Sequence, residues 1–217
     1  MFDILLQNHQ LFLQGLGTTL KLLVFIMIIG IPGGLVLGII GARYSLIASK
    51  IVEGLKFFTK VVPVLVLLFW LHFPFQALLE IVIDPFWTTV LALGFVNLVF
   101  VAHVIQNELK LMPKQYREAG LSLGMSKRQI ITYIEIPILM KRLVPTISLG
   151  QATMLEYTLF ASLISVPELF RVAQTVNAMV YDPVAVYSLL VIFFLVILTP
   201  LHVFINHYKK KNNISYA

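Results

Sequence analysis

Apolar residues in this chain gather in long runs rather than in strict alternation. Leu22 to Ala42 carries no charged side chain, and further runs extend over Val61 to Leu79 and Pro85 to about Gln106. Two more cover Leu143 to Pro167, interrupted by Glu156, and Pro183 to about Asn206. Each is long enough for a helix to cross the roughly 30 Å hydrocarbon core of a bilayer. Inside that core a helix satisfies its own backbone hydrogen bonds. The pattern predicts an all-α integral membrane protein, one transmembrane domain over residues 1–217 with five transmembrane helices. An odd number of spans puts the two termini on opposite sides.

Charge orients the spans. Of sixteen basic residues, fourteen fall between the first and second runs (Arg43 to Lys60), between the third and fourth (Lys110 to Arg142), or in the tail Lys209–Lys211. Only Lys21 and Arg171 remain for the other side. The positive-inside rule predicts an outside N-terminus and a cytoplasmic C-terminus. The isoelectric point near 9.6 needs no nucleic-acid partner, because the cations sit in the gaps between runs without interleaved aromatics. At 59% hydrophobic and 12% charged, the chain has about half the charge of a soluble domain, so lipid is part of its solvent. It has no cysteine, which excludes disulfides, thiolate metal sites and thiol catalysis.

No Lys or Arg precedes Lys21 and the first run is too long for a signal-peptide core, so no cleaved signal is expected. Phe2, Leu5, His9, Phe12 and Leu16 fall near helical spacing, predicting a short helix along the outer interface with His9 as a polar tip. Gly30, Gly34, Gly38 and Ala42 form a small-residue stripe on which another helix packs, within the chain or across a dimer seam. Pro32 and Gly33 beside it mark a site for a kink.

The longest hydrophilic stretch, about residues 108–142, has helix grammar of its own. Pro113 suits a first helical position and the helix it opens runs to Leu123. Gly124 suits the left-handed residue that ends it. Ser126 and Gln129 form a capping box, with Met125 and Ile130 at hydrophobic-staple spacing. A second helix runs from Lys127 until Pro137 interrupts it. These devices specify a rigid elbow of two short helices.

The run REAGLSLGMSKRQIITYIEIP carries Glu118, Ala119, Gly120, Gly124, Ile134, Ile136 and Pro137 at the spacing E-A-A-x3-G-x9-I-x-L-P. It resembles the EAA loop of ATP-binding-cassette importer permeases, with Gly120 for the second alanine and Ile136 for leucine. The stretch from Ser165 resembles the outer loop and last span of the polar-amino-acid subfamily, and Pro63 stands at the proline of its R-G-T-P-L-L signature. The likeness covers nearly the whole chain. It implies the type I importer permease fold in a bacterial cytoplasmic (inner) membrane. It also implies that Glu118, Ala119, Gly120, Leu121, Ser122, Leu123 and Gly124 form the coupling helix that docks into a cytoplasmic ATPase dimer. A second permease chain, identical or homologous, and an extracytoplasmic substrate-binding protein complete the expected assembly. The substrate-associated positions depart from the family: Lys60-Val61-Val62 replaces R-G-T, Phe100, His103, Gln106, Asn107 and Glu108 occupy the third-span motif, and Glu156 to Phe160 reads EYTLF with Thr158 retained.

No G-x-x-x-x-G-K-[ST] occurs, so ATP and its Mg are expected on the partner ATPase and no cofactor on this chain. The five histidines show no metal-ligand spacing, and no nucleophile–base pair can be nominated. His103 reads as a satisfied interfacial residue. In the fourth run Ser148, Gln151, Thr158, Ser162 and Ser165 fall within an arc of about 100° on a helix, a stripe expected to face the translocation path or a partner. Glu156 lies outside that arc, and an intramembrane carboxylate is a functional candidate by default. Glu156, Asn97, Gln151 and Thr158 are the substrate-path candidates, with interhelical glue the competing role for Asn97 and a buried structural acid for Glu156. The expected function is ATP-driven import of polar amino acids, cationic ones if Glu156 acts as counter-charge. Import of methionine or an organic cation, and a secondary transporter or channel, are the alternatives.

Overall fold

The computed structural model describes residues 2–212, and no strand occurs among them. The chain begins with α1 (Phe2–Arg43), a single helix of 42 residues. The separate interfacial helix expected at the N-terminus is therefore the first part of this helix. Only Asn8 leaves helical dihedrals, at φ −115 and ψ 15, while its side chain donates to the Ile4 carbonyl at 3.0 Å. Nothing between Asn8 and Leu22 stops a helix, and Pro32 leaves no non-helical residue behind it.

α1 packs along α5 (Pro85–Lys110), and the glycine stripe is the reason the two come so close. A Cβ on Gly30 would collide with the Asn97 side chain. On Gly34 it would lie 2.7 Å from the Leu98 carbonyl oxygen, and on Gly38 2.7 Å from that of Ala102. The stripe thus serves packing within the chain, and it passes at its inner end to Gly41 rather than Ala42, against the Ser49 backbone. α5 is the centre of the bundle: most of its apolar core is buried, whereas α1 and α10 (Pro183–Lys211) are largely exposed along theirs. The exposed flanks of α1 and α10, among them Val24, Ile28, Val191 and Val196, are the surface left for lipid or partners.

The second apolar run, Val61 to Leu79, corresponds to α3 (Val64–His72) and α4 (Pro74–Leu79) and is preceded by a separate helix set at a sharp angle to it. That helix, α2 (Leu46–Val61), starts at Ser45, whose hydroxyl accepts the Ala48 amide at 3.1 Å. The bend between α2 and the α3–α4 segment is 95°. The bend falls at Val62–Pro63, where proline holds the preceding residue extended. By length and apolarity three helices suit a membrane crossing, α1, α5 and α10, and four if the bent pair counts as one.

Beyond α5 the chain forms α6 (Lys114–Ser122) and α7 (Lys127–Ile130), then a π turn over Ile131–Glu135 that leads into α8 (Ile136–Tyr157). Pro137 was expected to interrupt the second elbow helix, and it does not. The wider π turn, in which the Ile136 amide reaches the Ile131 carbonyl, absorbs the missing N–H and gives the ring room. The elbow is therefore continuous with α8. A 3-10 segment (Thr158–Ile164) ends at Ser165, left-handed at φ 71, before α9 (Leu169–Val180) and α10.

Candidate functional site

The elbow is shaped by its own stop and start signals. The Met125 amide reaches the Gly120 carbonyl and the Gly124 amide the Leu121 carbonyl, both at 3.0 Å, with Gly124 at φ +74. This pair of bonds is a Schellman closure. Ser126 then caps α7: the Gln129 amide donates to Ser126 Oγ at 3.3 Å and the Ser126 amide donates to Gln129 Oε1 at 2.8 Å. The left-handed glycine and the capping box fall where the sequence puts them, while Pro113 is the cap rather than the first helical residue.

A Cβ on Gly120 would lie 2.8 Å from Ile130 Cγ1, and Ile130 is fully buried. That contact is a physical reason for glycine at the second alanine of the motif. Gly120 is the one buried residue of the set Glu118 to Gly124; the other six are exposed, and Leu121 and Leu123 show 52% and 80% of their surface. The predicted docking set is thus a protruding, partly apolar edge clamped from behind.

Sequence reasoning missed Glu135. It sits buried on the π turn and pairs with Arg43 at the end of α1, while Arg117 Nε of α6 lies 4.0 Å from its other oxygen. One carboxylate thereby links the elbow to the first span. The signal available was an acid embedded in the otherwise apolar run Ile130 to Leu139. A second polar joint holds α2 to α5, where Gln106 and Lys110 both donate to Ser49 and Lys110 pairs with Glu53 at 3.2 Å. Glu108 faces Arg142 at 3.6 Å.

Of the four substrate-path candidates, only Asn97 and Gln151 meet. Asn97 Nδ2 donates to Gln151 Oε1 and Gln151 Nε2 donates to Asn97 Oδ1, each at 3.0 Å, and both residues are buried. Asn97 also donates to the Ile26 carbonyl at 3.3 Å, so one side chain joins α1, α5 and α8. Thr158 is buried and turns its hydroxyl back to the Leu155 carbonyl at 2.6 Å. Glu156 is exposed on α8, and its carboxylate has no hydrogen bond or ion pair among the described residues. The predicted polar stripe breaks at Thr158, because a 3-10 segment turns about 120° per residue rather than 100°.

A cavity of about 270 Å³ does open between α2, α5 and α8. Lys56, Thr59, Lys60, Thr153 and Tyr157 supply its polar atoms and Phe100 part of its wall. Phe100 reaches it because Gly150 leaves no Cβ in the way of its ring. The cavity wall is mostly apolar, and the exposed Lys56 and Lys60 stand at its α2 side while the Thr59 and Thr153 hydroxyls turn back to the Lys56 and Leu149 carbonyls. Toward the other end of the molecule, Glu168 is fully buried at the start of α9 and accepts the Phe170 and Arg171 amides at 2.8 and 2.7 Å. Burial nevertheless pushes its carboxyl up to about 7, against the lowering effect of those two bonds.

The comparisons agree with this architecture. The family model for a binding-protein-dependent transport system inner membrane component matches residues 16–211. The glutamine transport system permease protein GlnP of Escherichia coli (strain K12) is 26% identical over 82% of this chain and 83% of its own length. The probable glutamine ABC transporter permease protein GlnP of Bacillus subtilis (strain 168) is 30% identical over 81% of each. Among solved structures, an amino acid ABC transporter with histidines superposes at a TM-score of 0.84 over 97% of this chain and 98% of that one, at 23% identity. An all-helical bundle around α5, a rigid EAA elbow and a family match along almost all of its length lead to one conclusion: this chain belongs to the binding-protein-dependent transport system inner membrane components, the permease subunits of ATP-binding-cassette importers.

Proposed function

We propose that this permease imports polar amino acids, crossing the membrane five times with its N-terminus outside and its C-terminus in the cytoplasm. The relatives named for glutamine transport support the substrate class. In this reading the edge Glu118 to Gly124 seats in a separate ATPase dimer that holds ATP and Mg, and a second permease chain completes the path. An extracytoplasmic binding protein delivers the substrate. ATP closes the ATPase dimer, the elbows follow, and the cavity switches between inward- and outward-facing states. Because α7 runs on through the π turn into α8, movement of the edge is movement of α8.

Lys56 and Lys60 would receive the ligand carboxylate in the cavity they line. Glu156 faces outward from this chain, toward the expected second permease chain, where its charge would favour ligands with a cationic side chain. Asn97 and Gln151 hold α1, α5 and α8 together, and Thr158 stabilises the start of the 3-10 segment.

The single observation that carries the proposal is the rigid edge with Gly124 at φ +74. Its test is Gly124→Val in a tagged permease coexpressed with its ATPase. A β-branched residue there costs about 1–3 kcal/mol of backbone strain. The permease should insert while ATPase copurification and amino-acid uptake are lost. Normal uptake with the ATPase retained would remove Glu118 to Gly124 from the coupling role.

A further inference from the structure

A cavity of about 520 Å³ lies at the root of the elbow, between the ends of α1 and α5, the start of α6 and the beginning of α7. Five cations line it, Arg43, Lys110, Lys114, Arg117 and Lys127, against one acid, Glu135. That acid is already shared by Arg43 and Arg117, and Lys110 is held by Ser49 and Glu53. Lys114 and Lys127 have no partner among the described residues. The remaining lining is largely apolar, including Leu109, Met112 and Ile131. At its edge Tyr44 is 77% exposed, and it leads into Leu46 and Ile47, exposed at 85% and 74%.

We propose that this cavity binds the headgroup phosphate of an anionic phospholipid from the cytoplasmic leaflet. Lys114 and Lys127 are exposed, and five cations against one shared acid give the cavity a positive field that attracts anions; it sits at span ends, where anionic headgroups are concentrated. The apolar surface at Tyr44, Leu46 and Ile47 is what favours a lipid over free phosphate, since only a lipid brings acyl chains to cover it. The proposal rests on the cytoplasmic placement of the elbow argued above. Its consequence is regulatory: a phosphate held by Lys114 and Lys127 ties α6 to α7 beside the Arg43–Glu135–Arg117 cluster. That fixes the elbow against the first span and makes coupling depend on the leaflet's anionic content.

The test uses the assembled transporter in nanodiscs of phosphatidylcholine with a rising fraction of phosphatidylglycerol. ATPase turnover and phospholipid retained in native mass spectrometry are both read. The wild type should retain phosphatidylglycerol and gain turnover as its fraction rises. Each lysine removed should weaken that response about fivefold, so Lys114→Gln with Lys127→Gln should shift it about 25-fold. Lys50→Gln with Lys141→Gln removes equal charge elsewhere and should leave it unchanged. Retained lipid is read on the permease whether or not an ATPase copurifies, so loss of docking is not mistaken for loss of this site. An unshifted response in the Lys114/Lys127 variant overturns the proposal, as does an equal loss in the control. Inorganic phosphate reproducing the activation in pure phosphatidylcholine would assign the cavity to a soluble anion and overturn the lipid.

Discussion

Asn97 and Gln151 close a ring of two hydrogen bonds, each 3.0 Å long, between α5 and α8 at the position where Gly30 lets α1 touch the same asparagine. Replacing Asn97 leaves the Gln151 amide buried and unpaired, and replacing Gln151 leaves Asn97 only its bond to the Ile26 carbonyl, whereas replacing both removes the need. Asn97→Leu and Gln151→Leu should each lower the thermal unfolding midpoint in detergent. A double-mutant cycle should return a coupling of about 0.6–1.7 kcal/mol, the range for interhelical hydrogen bonds in membranes. A change in substrate KM with unchanged stability would instead return Asn97 to the translocation path.

The seat of the docking edge is tested at Gly120. A Cβ placed 2.8 Å from Ile130 Cγ1 forces the buried isoleucine to shift. Gly120→Leu adds far more volume and should cost about 1–3 kcal/mol of overpacking. We expect reduced ATPase copurification with normal membrane insertion, and partial recovery when Ile130→Ala makes room. Absence of any recovery would show that the two residues do not share the contact.

Glu135 is expected to transmit motion rather than touch substrate. Glu135→Gln removes the charge that Arg43 and Arg117 share while keeping the side chain's size. Reconstituted transporter should keep basal ATP hydrolysis and lose transported substrate per ATP. Equal falls in hydrolysis and transport would point to misfolding instead.

Glu168 gives the chain a pH dependence whose sign follows from its raised carboxyl. The native state holds a proton near pH 7 that an unfolded chain, whose carboxyl has its ordinary value of 4.5, has released. Below about 4.5 both states are protonated and the contribution is complete; it is lost as pH rises through about 7. Stability measured from pH 5 to 8 should fall in the wild type more steeply than in Glu168→Gln. Parallel curves would show that burial is not what sets this group.

Topology is open to labelling because the chain has no native cysteine. Single cysteines at Asp84 and Asp182 should react with an impermeant thiol reagent in intact cells, and ones at Lys50 and Ser126 should not. All four positions are exposed on the chain, so access is decided by the membrane side. Reaction at Ser126 from outside would reverse the whole orientation.

Much of this protein is legible in its sequence because the signals are local. Long apolar runs specify helices wherever the surroundings are lipid. Gly124, Ser126 and Gln129 act on backbone groups within a few residues, so the turn and its cap are written in the local sequence. The EAA spacing lies on that same local frame, and the family match along residues 16–211 agrees with it.

What only the tertiary structure decided are the relationships between helices. The glycine stripe has one periodicity whether it meets α5 or another subunit, and contact with Asn97, Leu98 and Ala102 settles it. Pro137 reads as a helix stop until a π turn is seen to absorb it. The arc drawn through Ser148 to Ser165 assumes a constant turn per residue, which the 3-10 segment after Tyr157 breaks. Glu135 has its partners 92 and 18 positions away, at Arg43 and Arg117, and Lys56 and Lys60 meet Tyr157 across about a hundred residues. Side chains that far apart in sequence acquire a shared role only when packing brings them together, and no periodicity along the chain encodes that meeting.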